Sequence, residues 1–237
     1  MVRLMRLAAI GAAGILLGAC AHSPTYDPQD PLEPVNRVVY NFNEAADYFL
    51  IEPVAKGYVR FVPQFMRTGV KNFLSNLFYP TVILNDVLQG KFSQAGQDLG
   101  RFVTNSTAGI GGLFDVATRA GMPEHEEDFG QTLAVWGIGD GWYLVLPFLG
   151  PSTNRDLIGR VGDTYTSVLG DMDTEPALAL SAARVLDRRV ELLGAGAVLK
   201  QQFDRYAFVR TAYLEQRRNR IHDGNPPTED LGFDSGW

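Results

Sequence analysis

From residue 32 onward, apolar positions fall mostly at three- and four-residue intervals, the spacing of one helix face. Val35, Val38, Val39, Phe42, Ala45, Ala46 and Phe49 mark a first helix, with Pro34 and Glu33 suited to its opening turn. Pro53 and Pro63 are expected to divide the chain that follows into short helices, with Val54, Tyr58 and Phe61 on one side of the piece between them. Pro80 is expected to open another short segment, which ends at a Gln89-Gly90 cap. Phe92, Ala95, Leu99, Phe102 and Val103 predict a further amphipathic helix that runs out near residues 105–107, and a short helix lies within 114–121. Leu157, Val161, Tyr165, Val168 and Leu169 form the apolar side of a helix capped by the turn at 151–154. Helices carrying Leu178, Ala182, Val185, Leu186 and Leu193, and then Leu199, Phe203, Tyr206, Val209 and Tyr213, complete the pattern.

One stretch, residues 129–156, breaks the helical spacing. Its apolar runs at 133–136 and 142–149 are joined by Gly137-Ile138-Gly139-Asp140-Gly141. Three glycines in five residues permit a tight reversal, so the runs are expected to lie side by side as the arms of a hairpin. Trp136, Trp142, Tyr143 and Phe148 carry most of its apolar area. Such residues suit a boundary between lipid and water, and they equally suit a buried core. The fold class expected is mainly α: a single domain of short amphipathic helices with one hairpin-like insertion.

The amino terminus changes the picture. Arg3 and Arg6 precede an apolar run at 7–17, and Leu17-Gly18-Ala19-Cys20 follows, the arrangement of a bacterial signal peptide with a lipobox. Residues 1–19 are therefore expected to be a signal peptide and 20–31 a lipidated tether, with Cys20 the acylated residue. The helical domain is assigned to 32–221 and a disordered tail to 222–237. With Ala21 after the cysteine, sorting to the outer membrane is expected. Cys20 is the sole cysteine, so the mature chain has no disulfide. Removing Arg3 and Arg6 from 21 basic residues leaves 19 against 27 acidic ones, a net charge of −8. That balance argues against nucleic acid as a partner. No apolar run after the signal approaches the ~18 residues of a spanning helix, so deeper membrane contact falls to amphipathic elements.

Catalytic and metal chemistry find little support. Gly109, Gly111 and Gly112 lack the Lys-Ser/Thr of a phosphate loop and read as a flexible or tightly packed joint. His125 among Glu124, Glu126, Glu127 and Asp128 lacks a second histidine at helical spacing, so a solvated acidic loop is expected and no metal. Ser106 sits in NSTAG, outside any nucleophile elbow. Asp115, Asp128, Asp140 and Asp156 each fit a cap, turn or loop role. No enzymatic activity and no cofactor are expected.

Six blocks in order resemble the MlaA (VacJ) lipoprotein family. They are DPLEPVNRVVYNFN at 30–43, NFLSNLFYP at 72–80, NDVLQG at 85–90, RFVTNSTAGIGGLFD at 101–115, EDFGQTLAVWG at 127–137 and YLVLPFLGPSTNRD at 143–156. The resemblance implies a ring-like helical body seated in the inner leaflet of the outer membrane. Phospholipids misplaced in the outer leaflet would pass through its amphipathic channel to a periplasmic carrier, MlaC, and on to the inner-membrane transporter MlaFEDB. It also implies association with trimeric porins and no cofactor. Trp136, Gly137, Ile138, Gly139, Asp140, Gly141 and Trp142 would then form a mobile hairpin that borders and restricts the lipid path. Asn41 and Phe42 match a family position near the membrane and would set how the first helix sits in the leaflet. A lipoprotein that merely scaffolds porins, and a membrane-surface lipase, are the competing readings.

Overall fold

The computed structural model describes residues 27–227. The expected signal peptide, Cys20, most of the tether and residues 228–237 lie outside the described residues. Ten α-helices and one two-stranded sheet make up the rest: α1 Glu33–Ala46, α2 Glu52–Phe61, α3 Gln64–Leu88, α4 Phe92–Thr107, α5 Val116–Arg119, α6 Phe129–Val135, β1 Tyr143–Leu146, β2 Gly150–Thr153, α7 Asn154–Thr166, α8 Thr174–Glu191, α9 Gly196–Lys200 and α10 Arg205–Ile221. The fold is mainly α, as expected, with one hairpin. None of these helices is long and apolar enough to cross a membrane.

Two prolines do not break the chain where the sequence suggested. Pro53 lies in the first turn of α2, which continues from α1 through a π-helical turn, Asp47–Ile51. The wider turn accommodates a residue that has no N–H and crowds the carbonyl four residues back. Pro80 sits inside the 25-residue α3 instead of starting a new segment. The packing of α3 along α4 holds the helix through the missing hydrogen bond. Pro63, by contrast, does separate α2 from α3.

The larger departure concerns which helix faces turn inward. Ten hydrophobic residues are buried among those described, against seventeen polar or charged ones. In α4 the buried positions are Ala95, Asp98, Arg101 and Asn105, while Phe92, Leu99 and Val103 are exposed. In α7 they are Arg155, Asp156 and Gly159, while Ile158, Val161 and Tyr165 face out. Phe49, Phe61 and Phe65 are each more than three-quarters exposed. In α4 and α7 the usual assumption that the bulky apolar face turns inward fails, whereas Tyr206 and Tyr213 of α10 and Val39 of α1 do pack inward, against Tyr143 and Val145 in a small apolar core.

What holds this interior together is a set of ion pairs and hydrogen bonds. Arg217 on α10 bridges Asp128, which caps α6, and Asp156 in the first turn of α7, with the Asp128 contacts at 2.5 and 2.6 Å. α6 and α7 can approach closely because Gly130 and Gly159 meet at the crossing. A Cβ on Gly159 would lie 2.4 Å from the Gly130 nitrogen. The expected solvated acidic loop is instead tied down: Glu127 is buried and pairs with Lys91 at 2.9 Å, and His125 Nδ1 lies 3.0 Å from Asp98. The glycine joint after α4 is tightly packed, since a Cβ on Gly109 would meet two carbonyl oxygens. Asp223 and Pro227, in the stretch assigned to the tail, contact Lys91 and Arg218.

Candidate functional site

The hairpin forms, but with different arms. Residues 133–135 belong to α6, which Asp128 caps by accepting from Gln131 N at 2.9 Å. Gly137, at φ +89°, then ends that helix: its N–H bonds the Ala134 carbonyl and the Ile138 N–H bonds the Leu133 carbonyl. This pairing is a Schellman cap, so the first glycine of the cluster terminates a helix instead of turning a hairpin. The second apolar run supplies β1 and the turn. β1 pairs antiparallel with β2, from Tyr143 opposite Thr153 to Leu146 opposite Gly150. The reversal is Pro147-Phe148-Leu149, with Phe148 at φ +61°, a left-handed conformation costly for a non-glycine residue.

Two asparagines of α1 hold the hairpin. Asn36 donates from Nδ2 to the Tyr143 carbonyl at 3.0 Å and accepts at Oδ1 from Val145 N at 2.9 Å. Asn43 repeats the pattern, donating to the Leu146 carbonyl at 2.9 Å and accepting from Phe148 N at 2.8 Å. Seven residues of helix rise about 10.5 Å, close to the roughly 10 Å spanned by three residues of strand. The two amides therefore act like one edge of a β-ladder. Neither asparagine is marked out in the sequence except by their seven-residue spacing on the flank of the valine stripe.

The sequence-predicted residues now have places. Phe42 is half exposed and stacks edge-to-face on Phe148, ring centroids 5.2 Å apart; Asn41 is exposed beside it. Trp136 and Trp142 are each about half exposed, and Trp136 Nε1 donates to the Leu88 carbonyl at the end of α3 at 3.1 Å. Ile138, Gly139 and Asp140 form an exposed loop anchored by Arg155. That guanidinium pairs with Asp140 at 2.6 Å and donates to the Ile138 carbonyl at 3.4 Å. Gly141 is held at φ +69° against Asn154, whereas Gly139 has open space around it. The loop at 137–141 and the turn at 147–149 are thus two separate features, on opposite sides of β1 in the chain.

The turn at 147–149 borders a cavity of about 270 Å³. Phe148, Leu149 and Gly150 form one wall, Asn43, Ala46, Asp47 and Ile51 a second, and Val185, Arg189 and Leu192 a third. The last three fall on one face of α8 and its C-terminal extension. Arg189 grips Asp47 with two hydrogen bonds, 2.6 and 2.8 Å, and reaches Glu52 at 3.3 Å. The lining is thus amphipathic, mostly aliphatic and aromatic with one ion pair. Among the described residues no cluster of histidine and acidic side chains could hold a metal ion.

Comparison with known proteins decides the family. The description MlaA lipoprotein matches residues 28–220. The chain belongs to the MlaA lipoprotein family. Its relatives include the intermembrane phospholipid transport system lipoprotein MlaA of Escherichia coli K12, 37% identical over 93% of this chain and 90% of the relative. The protein of the same description in Haemophilus influenzae is 30% identical over 90% of this chain and 88% of its own length. A solved structure reported under "Structural basis for maintenance of bacterial outer membrane lipid asymmetry" superposes with a TM-score of 0.75 at 32% identity, covering 83% of this chain and 99% of that one.

Proposed function

We propose that the protein is a lipid-anchored outer-membrane component that removes misplaced phospholipids from the outer leaflet and passes them inward, maintaining lipid asymmetry. The observation that carries this reading is the inverted burial. In water, so many large apolar side chains exposed on one small domain are rarely tolerated. Lipid chains make such exposure cost little, while ion pairs such as Arg217 with Asp128 and Asp156, and Lys91 with Glu127, hold the polar interior. Amphipathic helices too short or too polar to span would lie within one leaflet, as in an interfacial protein. The cavity between α1, the hairpin turn and α8 supplies an amphipathic opening. Its volume, just under the ~300 Å³ lower bound of small-molecule sites, suits a head group better than two acyl chains.

In this reading Cys20 carries the acyl anchor, and a periplasmic carrier of the MlaC type receives the lipid for an inner-membrane transporter of the MlaFEDB type. Trimeric porins are the membrane partners that the family implies. The protein is a conduit and not an enzyme, so purified protein that releases fatty acid from phospholipid would overturn the reading. The test in cells is outer-leaflet phospholipid, reported by a surface-accessible lipase or acyltransferase in a strain lacking the protein. Accumulation cleared by wild type but not by Cys20→Ala is expected. Normal outer-leaflet lipid without the protein would leave porin scaffolding as the better account.

A further inference from the structure

Among the described residues, Arg189 is the one cation lining the cavity. Its Nε and Nη2 edge is occupied by the two oxygens of Asp47, and Nη2 also reaches Glu52. Nη1 makes no hydrogen bond among the described residues, which leaves two N–H donors on the guanidinium beside the cavity. A phosphodiester presents two non-bridging oxygens at a spacing that matches the guanidinium fork, as a carboxylate does. Resting on the transport reading above, we propose that Arg189 recognises the phosphodiester of the passing phospholipid and that Asp47 occupies the guanidinium while no lipid is present.

Three features of the site support exchange over a fixed structural pair. The Asp47 side chain is about a third exposed, so once displaced it returns to water at modest cost. Glu52 is independently paired with Lys56 at 2.5 Å and keeps a partner if Arg189 turns away. Asp47 also begins the π-helical turn, a local widening that often marks functional positions. Arg217 offers the contrast. Its partner Asp156 is 4% exposed and Arg217 itself 9%, so that pair is buried and structural. Replacing one anion by another also costs little net free energy, which lets a head group enter the site and leave it. Apolar neighbours Val185, Leu192 and Phe148 would meet the glycerol and first methylenes of the lipid.

The experiment uses the full lipidated protein, mixed with vesicles of phosphatidylethanolamine and phosphatidylglycerol. The vesicles contain either a fluorescent phospholipid or a diacylglycerol with the same chains, and lipid retained by the re-isolated protein is measured. Wild type is expected to retain the phospholipid in preference. Arg189→Gln should lose about tenfold in phospholipid retention with diacylglycerol unchanged, the loss of one charge-assisted interaction. Arg189→Lys, which keeps the charge without the fork, should fall between. Asp47→Asn, which weakens the competing anion, should raise phospholipid retention. Excess inorganic phosphate should leave retention unchanged; displacement of the lipid by it would mean a free-anion site and overturn the proposal. Equal loss of both lipids in the Arg189 variants would make the residue structural and overturn it as well. A fall in Asp47→Asn would do the same. Wild type that retains phospholipid and diacylglycerol equally sinks the proposal alone, whereas wild type that retains neither sinks the transport reading with it.

Discussion

Asn43 Oδ1 accepts the backbone N–H of Phe148 at 2.8 Å, so a helix side chain holds a strained residue at the tip of a hairpin. The same amide donates to the Leu146 carbonyl, and the neighbouring Phe42 ring packs on Phe148. One two-residue step of α1 therefore controls both the backbone and the side chain of the turn that walls the cavity.

Asn43→Ala should release that turn. Two hydrogen bonds of about 1 kcal/mol each are lost, enough to let Phe148 leave its left-handed conformation. Amide hydrogen exchange over 143–153 should accelerate while α3 and α4 keep their protection. Unchanged exchange at the hairpin would show that β-pairing alone holds it. Asn43→Asp, which keeps the acceptor but loses the donor, should have the smaller effect.

Arg217→Ala should destabilise the protein by about 3–5 kcal/mol, the usual penalty for stranding buried charge. Burial would raise the Asp128 carboxyl, but Arg217 outweighs it and holds the group below its ordinary value. Adding Asp128→Asn, which preserves an N-cap for α6, should recover part of the loss. Urea unfolding in detergent gives both numbers. Additive losses in the double variant would show that the two residues do not act as a pair.

Burial, together with Asp98 and Glu127, pushes the Asp86 carboxyl up to about 8 from an ordinary 3.8. Between those values the folded chain holds a proton that the unfolded chain has released, so stability falls as pH rises through that window. Asp86 in its acid form donates to Asp98 while accepting from Gln94 at 2.8 Å. An asparagine can do both without ionising. Wild type should therefore lose more of its Tm than Asp86→Asn between about pH 6 and about pH 9. Parallel losses in the two proteins would place the pH dependence elsewhere.

These residues show why parts of the structure were legible in the sequence. Helix ends set by local caps were: Gly90 and the stop near 107 fall where composition placed them, unlike the breaks expected at Pro53 and Pro80. Inward faces were not, because spacing identifies a stripe without saying whether water or lipid lies outside. The apolar stripe of α7 faces out for that reason, and of the charged residues behind it Asp156 fits a cap, turn or loop role by sequence, while Arg155 carries no signal of burial. The short run at 133–136 fits either a strand or a last helical turn, and the decision came from the Asp128 cap and the Gly137 cap together. Pairs separated by more than a hundred residues, such as Asp47 with Arg189, leave no mark that a single sequence can show.

The loop at 137–141 is tied by Arg155, and its glycines are not equivalent. Gly141 has φ +69° and a Cβ there would meet Asn154 at 2.9 Å, whereas Gly139 adopts no such conformation and borders open space. If this loop limits lipid flow, Gly141→Val should change outer-leaflet phospholipid, through a backbone strain of about 1–3 kcal/mol. Gly139→Val should behave as wild type in the same reporter strain. Asp140→Asn, which weakens the 2.6 Å pair with Arg155, should loosen the loop and shift lipid clearance without lowering Tm, since Asp140 is half exposed. Wild-type lipid levels in both Gly141→Val and Asp140→Asn would show that the loop does not gate the path. The lipid-restricting role would then pass to the turn at Phe148, beside Arg189 and the cavity.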